Sequence, residues 1–184
     1  MSAGILLVDP QYDFFPGGSL AVAEGDQIVE PINDLIARHA ELGLYASRDW
    51  HPPSTKHFKE RGGIWPPHCV QETHGAQFHE GLRMSRAAIY DKGTNPDDDG
   101  GYSAFEGSRD GRALIDDLRR DQVDTLIIAG LATDYCVKAS ALDARKLGLT
   151  VFLFVPGVRA VNLKPDDGAA ALALMREAGV LLAS

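Results

Sequence analysis

The sequence predicts an α/β fold, a three-layer sandwich in which helices flank a largely parallel sheet of about six strands. Short apolar runs alternate with amphipathic stretches, the pattern of repeated strand–helix units. The runs LIIA at 126–129 and VFLFV at 151–155 are continuously apolar, as expected for strands buried on both faces. The length of 184 residues, 45% of them hydrophobic, suits one domain spanning 1–184.

The individual elements follow from hydrophobic periodicity. Strands are expected where apolar residues run continuously, and helices where they recur every three or four residues. The predicted strands are 4–9, 44–48, 87–91, 124–130, 151–155 and 179–182. The predicted helices are 26–42, 111–120, 134–147 and 166–178. Two long segments, 50–83 and 93–109, fit neither pattern, and long irregular segments in a compact domain often carry function.

Composition and charge narrow the class of function. A formal net charge of -8 disfavours nucleic acid or an anionic membrane as a partner, because nothing would offset phosphate repulsion. The sequence contains no apolar stretch near the roughly 20 residues that span a bilayer, and its start lacks a basic signal region. The two cysteines, Cys69 and Cys136, are therefore expected to be free thiols in a cytoplasmic protein.

Polar side chains follow four of the predicted strands. Asp9 ends the first strand, Asp49 and His51 follow the second, Lys92 follows the third, and Cys136 follows the fourth. In open α/β sheets, ligands bind beyond the carboxyl ends of the strands. The sequence therefore predicts that these reactive groups meet at one rim of the sheet.

Cys136 is a candidate nucleophile. In GLATDYCV, Thr133 or Asp134 is expected to cap a helix, which places Cys136 in its first turn, where free amides and the helix dipole favour a thiolate. Asp9 would then be a general base, and Lys92 would hold both groups as anions. Each residue also has a structural interpretation: a buried cysteine, a turn-forming aspartate and an exposed lysine before a glycine.

Five of the six histidines lie between His51 and His79, in loop sequence rich in Pro and Gly. Asp49 and His51 form a D-x-H pair whose side chains share one side of an extended segment, and His57 and His68 follow. Two or three imidazoles with a carboxylate suit one divalent transition metal ion (zinc, iron or manganese), with water completing the shell. The alternative is a group of solvated loop histidines.

Aromatic residues flank the same rim. They are Phe14, Trp65, Tyr102 and Tyr135. They could form the walls of a pocket for a flat ring, or they could serve only in packing. Their positions along the chain do not distinguish these two interpretations.

Taken together, these motifs resemble the nicotinamidase/pyrazinamidase branch of the isochorismatase-like cysteine hydrolases. The resemblance covers nearly the whole chain. It rests on GILLVDPQYDFFPGGSLAV, SRDWHPPSTKHF, WPPHCVQETHGAQFH, KGTNPDDDGGYSAFEG and GLATDYCVKASALDA, in order and at family-like intervals. It implies a metal-dependent amidohydrolase that converts nicotinamide, and pyrazinamide with it, to the acid and ammonia through a cysteine thioester.

The resemblance also implies which residues carry the reaction. Asp9, Lys92 and Cys136 match the family's catalytic triad. The bond between Leu131 and Ala132 matches a non-proline cis peptide, which turns the amides of Ala132 and Cys136 toward one point as an oxyanion hole. In the implied mechanism, Asp9 takes the thiol proton, the thiolate attacks the carboxamide carbon, and water hydrolyses the thioester.

Metal ligands and ring contacts are implied in the same way. The implied ligands are Asp49, His51 and His68, with His57 a ligand in some members only. The implied ring contacts are Phe14, Trp65 and Tyr102. Tyr135 departs from the family pattern, because a histidine often precedes the cysteine in relatives, and this departure bears on the fine shape of the pocket rather than on the chemistry. The metal would bind the pyridine nitrogen and orient the ring.

Other functions stay open from the residues alone. A cysteine amidase for a carbamoyl or aliphatic amide would share the triad but lack the metal cluster. An isochorismatase proper cleaves an enol ether, a reaction that does not call for a cysteine nucleophile. A non-catalytic metal-binding module would be favoured by loss of a triad residue, and none is lost. The sequence leaves open which metal binds, whether the protein is a homo-oligomer, and which ring amide is preferred.

Overall fold

One sheet of eight strands organises the computed structural model, within the described residues 2–97 and 101–184. The strands are β1 Ser2–Val8, β2 Gly43–Asp49, β3 Ala88–Lys92, β4 Ser108–Arg109, β5 Arg112–Ala113, β6 Val123–Leu131, β7 Thr150–Arg159 and β8 Leu181–Ala183. Their order across the sheet is β5-β4-β3-β2-β1-β6-β7-β8. Neighbouring strands are parallel except for the β3–β4 and β4–β5 pairs, which are antiparallel.

The prediction of an α/β fold with a largely parallel sheet is confirmed. The six parallel strands correspond to the six predicted ones, with ends that differ by a few residues. The two additional strands, β4 and β5, contain two residues each. Two residues are too few to produce a periodic hydrophobic pattern, which is why the sequence did not reveal them.

Four α-helices cover the two faces of the sheet in the described part of the chain: α1 Val29–Arg38, α2 Leu114–Arg120, α3 Lys138–Lys146 and α4 Asp167–Glu177. The core is divided accordingly. On β1, Ile5 and Leu7 pack in the cluster beneath α1, whereas Leu6 and Val8 pack in the cluster beneath α2, α3 and α4. Alternate side chains of one apolar strand thus fill both cores, as expected for a strand buried on both faces.

Two predicted helices begin differently in the structure. The stretch predicted as helix from 26 starts with a 3-10 turn, Gly25–Ile28, before α1. The stretch predicted as helix from 134 starts with a π-helical turn, Thr133–Val137, before α3. None of the described helices is both long enough and apolar enough to cross a membrane.

Strand register brings the ends of β1, β2, β3 and β6 together. Val8 pairs with Ser47 on one side and with Gly130 on the other, and Asp49 pairs with Lys92. Gly130 has a φ of +126°, and a Cβ placed there would lie 2.0 Å from the carbonyl oxygen of Val8. The glycine is therefore required both by its backbone conformation and by the close approach of β1.

Gly130→Ala tests this close approach. The added methyl meets backbone rather than a flexible side chain, so we expect a loss of about 3 kcal/mol or more in the free energy of unfolding. Gly148→Ala is the matched control, because its φ is +88° but its Cβ would meet nothing within 4 Å; it should lose only about 1–2 kcal/mol. Denaturant unfolding measures both. Equal losses in the two variants would contradict the steric argument.

Candidate active site

The structure brings Asp9, Asp49, Lys92 and Cys136 together at the carboxyl ends of β1, β2, β3 and β6. The Lys92 Nζ lies 2.9 Å from Asp9 Oδ2, 2.5 Å from Asp49 Oδ1 and 3.6 Å from Cys136 Sγ. It also donates to the carbonyl of Gly101 at 2.9 Å. One oxygen of each carboxylate and the Cys136 Sγ lie within 4.8 Å of one another. The predicted convergence of these residues is therefore found.

Charge in this cluster is set by burial and by ion pairing. Burial by itself would lower the pKa of Lys92, but the carboxylates of Asp49 and Asp9 hold this pKa well above its ordinary value. Burial would likewise raise the pKa of Asp49, but Lys92 and His51 beside it hold that pKa well below its usual range. Lys92 is therefore a cation and Asp49 an anion at neutral pH.

Asp9 has the more finely balanced carboxyl group. Burial raises its pKa to about 6, although Lys92 and a hydrogen bond from Ser47 act in the opposite direction. The Ser47 hydroxyl donates to Asp9 Oδ1 at 2.7 Å. A carboxyl with a pKa near 6 is mostly ionised at neutral pH yet remains able to take up a proton, which is what a general base requires.

Cys136 differs from the sequence expectation in two respects. It lies in the π-helical turn Thr133–Val137, which has no side-chain cap; Asp134 instead accepts from the amides of Val161 and Asn162 at 2.9 and 2.8 Å. Burial raises the pKa of the Cys136 thiol well above its usual value, although Lys92 opposes this. Burial and the carboxylates of Asp9 and Asp49 thus favour the neutral thiol, whereas the sequence pattern favoured a thiolate.

The peptide bond between Leu131 and Ala132 is cis, as the resemblance implied. It immediately precedes the turn that carries Cys136. The amides of Tyr135 and Val137 both donate to the Ala132 carbonyl at 3.1 Å. The bond from Val137 to Ala132 spans five residues, the i→i+5 pattern of a π-helical turn.

Three buried histidines form a second cluster beside the first. One ring nitrogen each from His51, His57 and His68 lie within 4.8 Å of one another. The other oxygen of the Asp49 carboxylate, Oδ2, lies 3.6 Å from His51 Nε2 and 4.0 Å from His68 Nε2. Asp49 therefore contributes one oxygen to each cluster.

Backbone carbonyls orient two of these imidazoles. His51 Nδ1 lies 3.0 Å from the Gly93 carbonyl, and His68 Nδ1 lies 2.8 Å from the Pro66 carbonyl. An Nδ1–H that donates to a carbonyl leaves a lone pair on Nε2, the arrangement typical of metal-binding histidines. Burial lowers the pKa of His68 to about 4, so this ring is neutral at pH 7. The Nε2 of His51 is buried without a hydrogen-bond partner, and this donor set fits a divalent transition metal.

Sequence analysis did not single out Gln11, which holds Asp49 in place. Its Oε1 accepts from the Asp49 amide at 2.7 Å, and its Nε2 donates to the carbonyls of Asp49 at 2.7 Å and Ala76 at 2.9 Å. The side-chain amide therefore binds Asp49 as a neighbouring strand would. A polar residue two positions after Asp9 was visible in the sequence, but its partners lie 38 and 65 residues away.

Asp13 was missed as well. Its Oδ2 accepts from the amide of Cys69 at 2.7 Å, and Oδ1 accepts from the amide of Ser19. This holds the loop at the residue that follows His68. These hydrogen bonds from a side chain to the backbone of other segments become visible only in the folded loop.

All four predicted aromatic residues line one small cavity together with Cys136 and three residues of the carboxylate–histidine cluster. Its lining residues are Phe14, Leu20, Asp49, His57, Trp65, His68, Tyr102, Tyr135, Cys136 and Val161. The cavity measures about 30 Å³, room for about one water molecule. Trp65 Nε1 donates to the Tyr102 hydroxyl at 3.0 Å, and the Trp65 and Tyr135 rings meet edge-on at 5.0 Å. The aromatic side chains therefore pack closely around the cavity.

A larger groove of about 650 Å³ lies elsewhere, between α1 and strands β6 and β7. Its lining includes Leu35, Ile127, Phe152 and Phe154, and it contains none of the residues of the two clusters. Cavity size alone would have pointed to this groove. The chemistry of the lining residues identifies the small cavity instead.

The isochorismatase domain matches residues 3–184 of this chain. The chain belongs to the isochorismatase family. The nicotinamidase of Escherichia coli (strain K12) is 43% identical to it, over 97% of this chain and 92% of that relative. The family membership and the prediction of a hydrolase of the nicotinamidase/pyrazinamidase branch are confirmed.

Solved structures of the family superpose closely on this chain. The pyrazinamidase of Pyrococcus horikoshii, in complex with zinc, has a TM-score of 0.91 and 41% identity, covering 100% of this chain and 99% of that one. A structure from L. infantum in complex with nicotinate has a TM-score of 0.88 and 35% identity, covering 100% and 92%. Members of this family thus hold a transition metal or a pyridine carboxylate on the same fold.

The histidine cluster predicts metal binding. Elemental analysis after incubation with zinc, iron or manganese should find about one metal ion per chain, as expected from one Asp/His cluster. His51→Ala should lose the ion because it removes a buried imidazole at the centre of the cluster. His39→Ala, which changes a partly exposed histidine outside the cluster, should retain it. A wild-type protein that stays metal-free with all three ions would rule out the site.

Proposed function

We propose that the protein is a nicotinamidase, a metal-dependent amidohydrolase that converts nicotinamide and pyrazinamide to the acid and ammonia. One observation carries this proposal: the buried thiol of Cys136, which lies against the Lys92 ammonium, opens onto the same aromatic-lined cavity as Asp49 and two histidines of the second cluster. The cavity thus offers a nucleophile for the amide carbon and ligands for a metal ion that would bind a ring nitrogen. The proposed unit is one domain over 1–184, in a cytoplasmic protein whose thiols are both free.

The proposed metal ligands are those of the second cluster. They are Asp49, His51, His57 and His68. When bound, the metal would supply an electron-pair acceptor for the pyridine nitrogen and so fix the ring. The aromatic side chains would then close over the ring and exclude bulk water.

The proposed reaction begins with transfer of a proton from the Cys136 thiol to the Asp9 carboxylate. The resting thiol is neutral because it is buried, so the proton leaves as sulfur attacks the carboxamide carbon. The Lys92 ammonium lies against both groups and stabilises the negative charge wherever it resides. A new C–S bond forms, and the carbonyl π electrons move to oxygen.

The tetrahedral oxyanion is assigned to the amides of Ala132 and Cys136. Removing one donor from such a hole typically lowers the rate by about 10²–10³-fold. As the intermediate collapses, the C–N bond breaks and Asp9 returns its proton to nitrogen, which releases ammonia. Asp9 then accepts a proton from water, hydroxide oxygen attacks the thioester, and the C–S bond breaks as the proton returns to Cys136.

An amidase for an aliphatic or carbamoyl substrate is the nearest rival. It would need Asp9, Lys92 and Cys136 but would have no use for three buried histidines beside the substrate cavity. A non-catalytic metal-binding module would have no use for the buried thiol and carboxylate. Ammonia release from nicotinamide, beside an aliphatic amide and a carbamoyl compound, separates the three functions.

The nucleophile is tested by exchanging each cysteine. Cys136→Ala should lower kcat by about 10⁴-fold or more while the protein stays folded, because the thiol supplies the attacking atom. Cys69→Ala should keep most of the activity, since Cys69 only follows a proposed ligand in the sequence. Ammonia release and circular dichroism measure the two effects. An active Cys136→Ala enzyme with an inactive Cys69→Ala enzyme would reverse the assignment.

Asp9 predicts the acid limb of the pH profile. Below its pKa of about 6, Asp9 is protonated and cannot accept the thiol proton, so kcat/KM should fall as the pH decreases through about 6. Ser47→Ala removes a hydrogen bond that favours the carboxylate and should move this limb to higher pH. Ser85→Ala, at an exposed serine, is the control. The assignment to Asp9 fails if the limb stays in place in Ser47→Ala.

Benzamide tests the role of the ring nitrogen. It differs from nicotinamide by one ring atom and has nearly the same size and the same carboxamide. A site built to bind a polar atom rejects an analogue without it far more strongly than a pocket rejects a small change in size. We expect a much lower kcat/KM for benzamide, and a smaller preference once the metal is removed. Equal values for both substrates in the metal-loaded enzyme would exclude ring anchoring.

A further inference from the structure

One buried hydroxyl connects the turn that carries Cys136 with the segment after β3. Ser140 lies in α3 and is fully buried. Its Oγ donates to the carbonyl of Cys136 at 2.7 Å and accepts from the amide of Ala104 at 2.9 Å. A hydroxyl group can donate one hydrogen bond and accept another at the same time, and the Ser140 hydroxyl does both.

The bond to the Cys136 carbonyl could by itself be purely structural. Serines in helices often donate to the carbonyl four residues earlier. Here, however, that carbonyl belongs to the proposed nucleophile in the π-helical turn, and the same hydroxyl also binds a second segment. The Ser140 hydroxyl therefore fixes the peptide plane that follows the proposed nucleophile.

The bond from Ala104 reaches a segment that faces the same site. In the residues just before Ala104, the Gly101 carbonyl accepts a hydrogen bond from Lys92 Nζ. The side chain of Tyr102 lines the cavity, and its hydroxyl accepts a hydrogen bond from Trp65 Nε1. Hydrogen bonds within the segment brace it internally: Ser103 accepts from the Phe105 amide and Glu106 accepts from the Ser103 amide. Those bonds fix its shape but not its position relative to the nucleophile.

We infer that Ser140 is a positioning residue, whose hydroxyl holds Cys136 in register with Lys92 and with the Tyr102 wall of the cavity. The inference rests on the proposed function, in which Cys136 is the nucleophile. Ser140 touches neither substrate nor metal and acts only through the two backbone groups that it joins. Displacing a reacting atom by about 1 Å can lower a rate by about 100-fold.

Three variants in α3 test this role. Ser140→Ala removes both hydrogen bonds, whereas Ser140→Thr keeps the hydroxyl. Ala144→Gly, at a buried alanine one turn further along α3, weakens the helix without touching the link. Metal content and thermal unfolding are recorded for each protein, so that activity is compared between folded, equally metal-loaded enzymes.

We expect Ser140→Ala to lower kcat by about 10- to 100-fold with a much smaller change in KM, because the reacting groups rather than the ring are displaced. Ser140→Thr should regain most of kcat, and Ala144→Gly should keep it. The rate of Cys136 alkylation by iodoacetamide, measured in a Cys69→Ala background, should fall in Ser140→Ala as well, since the thiol loses its alignment with Asp9.

Three results would overturn the inference alone, and the first two are a Ser140→Ala enzyme with wild-type kcat and an Ala144→Gly enzyme that loses as much kcat as Ser140→Ala. A folded Ser140→Thr enzyme as impaired as Ser140→Ala would also overturn it, because the hydroxyl would then not be the cause. A wild-type protein that releases no ammonia from nicotinamide would overturn the proposed function and this inference with it.

Discussion

The buried ammonium of Lys92 is the interaction on which the rest of the site depends. A charged group removed from water is strongly destabilising unless opposite charges and hydrogen-bond acceptors surround it. Asp9 and Asp49 supply the charges from two neighbouring strand ends, and the Gly101 carbonyl completes the shell. Without Lys92, two buried carboxylates would lie with oxygens within 4.8 Å of each other and no neighbouring cation to offset their repulsion. The parallel register of β1, β2 and β3 brings these side chains together, because Asp49 pairs with Lys92 and Val8, the residue before Asp9, pairs with Ser47.

Asp49 links the two halves of the site. One oxygen neutralises Lys92, and the other faces His51 and His68. The proposed catalytic cluster and the proposed metal cluster therefore share the carboxylate of Asp49, a residue whose backbone amide and carbonyl are bound by the Gln11 side chain. Any change in the orientation of Asp49 alters both clusters at once.

Burial also decides the state of the proposed nucleophile. A helix N-terminus stabilises a nearby anion by roughly 0.3–1 kcal/mol when it is exposed, whereas taking a charge out of water costs several times that amount. Cys136 is 7% exposed, so its thiol is neutral despite the neighbouring lysine. Asp9, with its pKa near 6, is the group that remains able to exchange a proton. Activation of sulfur is thus assigned to proton transfer during attack rather than to a standing thiolate.

The sequence by itself determined the α/β fold and the positions of the six parallel strands, because strand and helix periods depend on local side-chain patterns. It also placed Asp9, Asp49, Lys92 and Cys136 at strand ends, which parallel pairing must bring to one rim. Only the tertiary structure decided the π-helical turn at Cys136, the clamp by Gln11, the link through Ser140 and the ionisation of the thiol. These features depend on contacts between distant segments and on burial, which no local pattern of residues encodes.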